Sequence, residues 1–250
     1  KDGLSELMGS WKYPLNMIDF ETTATAIPFN THLKPYETIA YQFSHHVIHE
    51  NGDVEHFSEY LHTKQGEFPS FDFVRALKKS LEQNEGSVFM YSPHENSVLN
   101  HILRQLHTPM GDIIEDKIQL IDFIKTITKS NDRSSDELYA LMYETDPVLA
   151  QELTYSWHGD RCMIDLWDVL KKYYYNPLTN GSNSIKYVLP AILESSDYLK
   201  NKYSQAIYGT DEIPSKNFKD VTWLKFDEEG KVINPYKQLP ALYSQDGSVY

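Results

Sequence analysis

Apolar residues recur along this chain in two rhythms, and together they predict a mixed α/β domain. Leu15 to Ile18 is a short apolar run that suits a buried strand, with Pro14 setting its start. Residues 39–48 alternate well enough for a second strand. Asn51-Gly52 is a two-residue hairpin signal, and residues 54–60 supply the returning strand. Phe71, Phe73, Val74, Leu77 and Leu81 then take helical spacing, with Ser70 and Asp72 near the start and Gly86 as the stop. Residues 87–91 form a compact buried strand broken by Ser92-Pro93. A helix over 95–106 follows, presenting Val98, Leu99, Ile102, Leu103 and Leu106 on one face.

Further on, residues 118–128 are apolar-periodic and read as a helix. The polar stretch 129–161 reads as an insertion with a helical segment at 135–153. Residues 163–170 lead into a helix that ends in Tyr173-Tyr174-Tyr175-Asn176-Pro177. Asn180-Gly181 marks a turn, and Ser182 or Ser184 caps a helix over 185–193, interrupted by Pro190. Periodicity fades beyond Tyr198. The expected organisation is a lead-in at 1–14, a domain over 15–195 and an irregular part over 196–250. Strand, hairpin, helix, strand, helix is the order of an α/β domain whose first three strands are antiparallel.

Composition narrows the class. At 250 residues, with 40% hydrophobic and 24% charged residues, the chain is long enough to bury a full core. A single cysteine, Cys162, excludes an internal disulfide framework and a cysteine zinc site, and accords with a cytoplasmic location. No apolar run approaches the roughly 20 residues of a membrane span, so a membrane partner is not expected. The start at Lys1 rather than Met reads as a segment of a longer chain with other domains. The net charge of -13 means that a polyanion would be held by a local basic patch or through metal ions.

The candidate chemistry begins at Asp19-Phe20-Glu21-Thr22. Side chains two apart on a strand share a face, so Asp19 and Glu21 converge while Phe20 turns into the core. Paired carboxylates repel unless a cation or a shared proton relieves them. Mg2+ suits that role, being bound by one or two carboxylates plus water and phosphate oxygens. The plain alternative is a strand end whose acids point into water. Glu95 lies in the first turn of a helix just past a strand, where the helix dipole favours an acid whatever its function.

This order of acids resembles the DEDD exonucleases of the ribonuclease H-like class, whose catalytic acids sit on the first strand and on later helices. Three downstream segments add to the likeness: Met163-Ile164-Asp165-Leu166, the Tyr173 to Pro177 run, and Asn180 to Ala191. With them the chain resembles an uncharacterised bacterial family, domain of unknown function 2779, thought to be exonuclease-like. Asp19 to Thr22 matches its first motif, and Tyr91 with Glu95 its Tyr-x-x-x-Glu junction. The resemblance spans roughly 15–195, and Gly181 to Pro190 is its most specific piece.

The resemblance implies a ribonuclease H-like mixed sheet flanked by helices, and a 3′–5′ exonuclease of DNA or RNA using Mg2+ or Mn2+. It implies Asp19, Glu21 and Glu95 as metal ligands, Asp165 as a further catalytic candidate, and Thr22, Ser184 and Lys186 on the nucleic-acid side. Asp19 would bridge two ions, Glu21 would hold the nucleophile-side ion, and Glu95 would hold the other through water. The exonuclease class also carries a fourth acid on a late helix, four residues after a Tyr or His. None is found before Tyr250, and truncation ahead of that motif is the expectation. A non-catalytic ribonuclease H-like module that binds nucleic acid or protein is the alternative.

Each secondary candidate has an ordinary reading beside the functional one. Asp165 at a helix start serves as a cap, and His94 as a surface residue or a positioner of water. Lys186 with Ser182 and Ser184 either grips a phosphate or simply caps a helix, and Arg161 is a weaker phosphate candidate. The pairs His45-His46 and His49-His56 invite a zinc reading, but with no third ligand in register they read as hairpin residues.

Overall fold

The structure of the protein, a computed structural model, describes residues 2–130 and 157–238. The chain divides into two compact units, Lys1–Gly52 with His56–Leu166, and Asp53–Glu55 with Trp167–Tyr250.

In the first unit a helix α1 (Asp2–Gly9) lies within the stretch expected as a lead-in. It is followed by β1 (Leu15–Thr23), β2 (Ile39–Ile48), β3 (Val54–Leu61), α2 (Ser70–Leu81), β4 (Val88–Met90) and α3 (His94–Leu106). Next come α4 (Pro109–Asp112), α5 (Lys117–Ile127), β5 (Lys129–Ser130), β6 (Trp157–His158) and β7 (Ile164–Asp165). The five-stranded sheet has the order β3-β2-β1-β4-β7. β1 runs antiparallel to β2 and parallel to β4, and β4 runs parallel to β7. The fold is therefore α/β with a mixed sheet, three strands antiparallel and the last two parallel to β1.

Alternation dictates which side of β1 is buried. Ile18 and Phe20 face the core at 6% and 4% exposure, while Asp19 and Glu21, each one position further on, are exposed. On the buried side Phe73 of α2 sits edge-on to Phe20 and Phe43, at 4.8 and 5.5 Å between ring centres. α2 and α3 present the apolar stripes that their spacing predicts, and Ile124 of α5 completes the cluster. β1 continues four residues past Asp19 because its pairing with β2 carries it on, through a register shift between Glu21 and Thr22.

α2 stops at Leu81, not at Gly86. Gly86 has a different role: a Cβ there would lie 1.7 Å from the carbonyl oxygen of Pro14, so only glycine lets the two backbones pass. At the hairpin, Gly52 takes φ +90, as the Asn-Gly signal requires, but the strands end at Ile48 and resume at Val54, which makes a longer loop than two residues. The helical stretch expected at 135–153 lies outside the described residues. The ends of the expected insertion pair with each other, Lys129 opposite His158 and Ser130 opposite Trp157.

A buried polar layer crosses the core. His45, 0% exposed, bonds Ser80 Oγ through Nδ1 at 2.7 Å and Asn16 Oδ1 through Nε2 at 2.9 Å. Asn16 and Asn84 exchange reciprocal amide hydrogen bonds. Arg161 donates to the carbonyls of Gly86 and Leu81 and to Asn84 Oδ1. These bonds tie its guanidinium to two carbonyls and one side-chain amide of the fold, a structural role beside the phosphate reading.

In the second unit α6 (Leu166–Tyr173), α7 (Ile185–Ser195) and α8 (Asp197–Tyr203) precede a run of isolated bridges, Tyr208 with Ile213 and Val221, and Phe226 with Val232. Glu194 organises this part by accepting from Lys200 Nζ at 2.9 Å and from the Val232 amide at 2.7 Å. No helix among the described residues is long and apolar enough to cross a membrane.

Candidate active site

The three mutually parallel strands β1, β4 and β7 place their carboxyl ends at one edge of the sheet. In open α/β sheets that edge is where ligands bind. Asp19 is on β1. Asp165 ends β7, in register with Met90 at the end of β4. Only three residues, Tyr91 to Pro93, separate β4 from α3, so Glu95 is delivered to the same edge in the first turn of that helix.

Glu95 is 3% exposed, and its Oε2 is buried with no hydrogen-bond partner. Burial pushes its pKa up to about 7. The negative charges of Asp19 and Asp165 add to that rise, and the amides of Glu95 itself and of Phe20 oppose it. Asp19 and Asp165, from separate parts of the chain, thus both lie within electrostatic reach of Glu95. Asp19 is also held above the usual carboxylate range, by partial desolvation although its side chain reaches solvent, while His94 and His46 draw it back.

Asp165 stands between the end of β7 and the start of α6. It is the last residue of a strand, 8% exposed, and its Oδ1 accepts the Ser92 amide at 2.8 Å. Glu21 shares the exposed face of Asp19, opposite Gln42. Thr22 follows the register shift and pairs with Ala40. Lys186 and Ser184 belong to the second unit. Ser184 holds the N-cap position of α7 without a side-chain capping bond, and Ser182 Oγ accepts its amide at 3.2 Å. Lys186 is exposed. Among the described residues no three His, Cys, Asp or Glu side chains form a group that could hold a metal ion.

His46 is the contributor that sequence reasoning passed over as a hairpin residue. Its position opposite Met17 on β1 puts it on the same face as Asp19, and strand alternation was the signal that could have found it.

Fold and site together define an α/β domain with an acid cluster at the carboxyl end of its parallel strands. Residues 16–184, more than half of the chain, match the family described as Domain of unknown function (DUF2779), and the chain belongs to that family. No curated protein and no solved structure matches it.

Proposed function

We propose that this chain is a metal-dependent nuclease of ribonuclease H-like type, acting as a 3′–5′ exonuclease on DNA or RNA. The reading rests above all on Glu95, a buried carboxyl with an unpartnered oxygen beside two further acids. Burying an acid among acids is costly, and a cation is the relief that also explains the orphaned oxygen. Mg2+ or Mn2+ fits this donor set, because such ions take one or two protein carboxylates and fill the rest with water and phosphate oxygens. A closed cage of three side chains is therefore not required. The antiparallel β1–β3 arrangement, with acids on the first strand and at the β4–α3 junction, is what the resemblance to DEDD exonucleases implies.

In this reading Asp19, Glu21 and Glu95 hold the ions, and Asp165 acts through the turn that carries Glu95. Ions held by these residues would supply the Lewis acidity for phosphodiester hydrolysis. Asp19 presents its carboxylate from a rigid strand. His94 and His46 favour its charged form. Phe20, buried behind the pair, fixes the pitch at which both acids leave the strand.

The test uses the purified protein with 3′- and 5′-labelled single-stranded DNA and RNA, with and without Mg2+ or Mn2+. Stepwise shortening from the 3′ end is expected, with losses of about a hundredfold or more in Asp19→Asn and Glu95→Gln, as for removal of a preorganised charge-stabilising group. Metal-independent cleavage, or an Asp19→Asn protein equal to wild type, would falsify the assignment.

A second reading, a non-catalytic module that binds nucleic acid or a protein, is favoured by the net charge of -13 and by the lack of a three-ligand group among the described residues. Mn2+ titration separates the two: the enzyme binds Mn2+ through Asp19 and Glu95, and the scaffold does not.

A further inference from the structure

Beside the acids, on the hairpin, two histidines meet that no sequence pairing joined. His46 of β2 and His56 of β3 bring Nε2 and Nδ1 to 3.1 Å, with ring centres 4.6 Å apart and planes perpendicular. An in-line N–H···N bond would hold the ring centres farther apart, so the two nitrogens meet at an angle. Two imidazole nitrogens on one tetrahedral zinc, each about 2.0–2.1 Å from it, lie about 3.3 Å apart. The observed spacing is close to that.

The hydrogen bonding orients the pair for the same role. His56 Nε2 meets Glu59 Oε2 at 2.5 Å. A carboxylate only accepts, so a neutral His56 donates through Nε2 and carries its lone pair on Nδ1, facing His46. A carboxylate behind a histidine is the usual arrangement behind metal-bound imidazoles, where it fixes the tautomer and raises ligand basicity.

We propose that His46 Nε2 and His56 Nδ1, backed by Glu59, form a two-imidazole site for a borderline divalent cation of the zinc class. Without metal, His46 donates its Nε2 proton to His56. With metal, that proton resides on His46 Nδ1, both rings stay neutral, and the remaining coordination positions are taken by water. Imidazole selects Zn2+, Cu2+ or Ni2+, whereas the carboxylates of Asp19 and Glu95 suit Mg2+ or Mn2+. The two sites thus take different ions, and the first does not depend on the nuclease reading.

Calorimetric titration of the whole chain with ZnCl2 tests this. One equivalent is expected to bind, with Mg2+ in excess failing to displace it. His46→Ala and His56→Ala should each weaken binding by at least about tenfold, and Glu59→Gln by about 10–100-fold, the usual cost of losing such a backing group. Glu95→Gln should leave zinc binding unchanged. In case a variant misfolds, 15N spectra of the wild-type histidine rings give an independent readout. Zinc should shift His56 Nδ1 and His46 Nε2 and leave His56 Nε2 protonated. Absence of saturable zinc binding, or equal binding by a folded His46→Ala/His56→Ala protein, overturns the site.

Discussion

The amide of Ser92 donates a 2.8 Å hydrogen bond to Oδ1 of Asp165, fastening the end of β7 to the turn between β4 and α3. Ser92 has φ +76, a left-handed conformation that side chains other than glycine rarely adopt. The acceptor from a neighbouring strand holds that turn, and the turn sets where Glu95 enters the site. Asp165→Ala should leave the Ser92 amide unpaired and cost about 1–3 kcal/mol in chemical denaturation. Asp165→Asn keeps an acceptor and should cost less. If both variants match wild type in stability, Asp165 does not hold the turn.

Glu95 makes a pH prediction with a definite sign. Its folded pKa is raised to about 7 from an ordinary 4.5, so the folded protein keeps a proton that the unfolded chain releases. The protonated form contributes stability below about 4.5, and that contribution is lost as pH rises to about 7, by roughly 3 kcal/mol. Glu95→Gln should abolish this decline, measured as unfolding free energy against pH without divalent ions. Adding Mn2+ should restore stability to wild type at pH 8 and do little for the variant.

His45 slopes the other way. Burial, then the charges of His46, Arg161 and His56, lower its pKa to about 4 from 6.5. The unfolded chain therefore binds a proton that the folded protein refuses, and stability falls as pH drops from about 6.5 to 4, again by roughly 3 kcal/mol. In wild type the two slopes partly cancel over the shared window. His45→Gln should unmask the Glu95 slope, and Glu95→Gln the His45 slope. Two single variants with the same pH profile as wild type would contradict both assignments.

Arg161 is committed to three acceptors in the core, at Gly86, Leu81 and Asn84. Arg161→Leu should destabilise the fold by about 2 kcal/mol or more, since it strands buried acceptors. Nucleic-acid affinity per folded molecule should be unchanged. A selective loss of affinity at full stability would return Arg161 to the phosphate-binding role.

Local pattern alone determined most of the first unit. Strand alternation placed Phe20 inward and Asp19 and Glu21 outward, and helical spacing marked α2, α3 and α5, because burial of an apolar stripe depends on nearby residues. The acids Asp19, Glu95 and Asp165 were legible as residues, but their meeting was expected only from the family resemblance and not from local pattern. It depends on β4 and β7 lying parallel beside β1, a long-range pairing that no local rhythm encodes. Gly86 looked like a helix stop because close approach to Pro14, 72 positions earlier, leaves no trace in neighbouring residues. His46 and His56 were read only as hairpin residues for a similar reason: spacing along the chain does not show that the two rings meet across neighbouring strands. What a side chain is follows from the sequence; what it faces is decided by which strands pair and in which register.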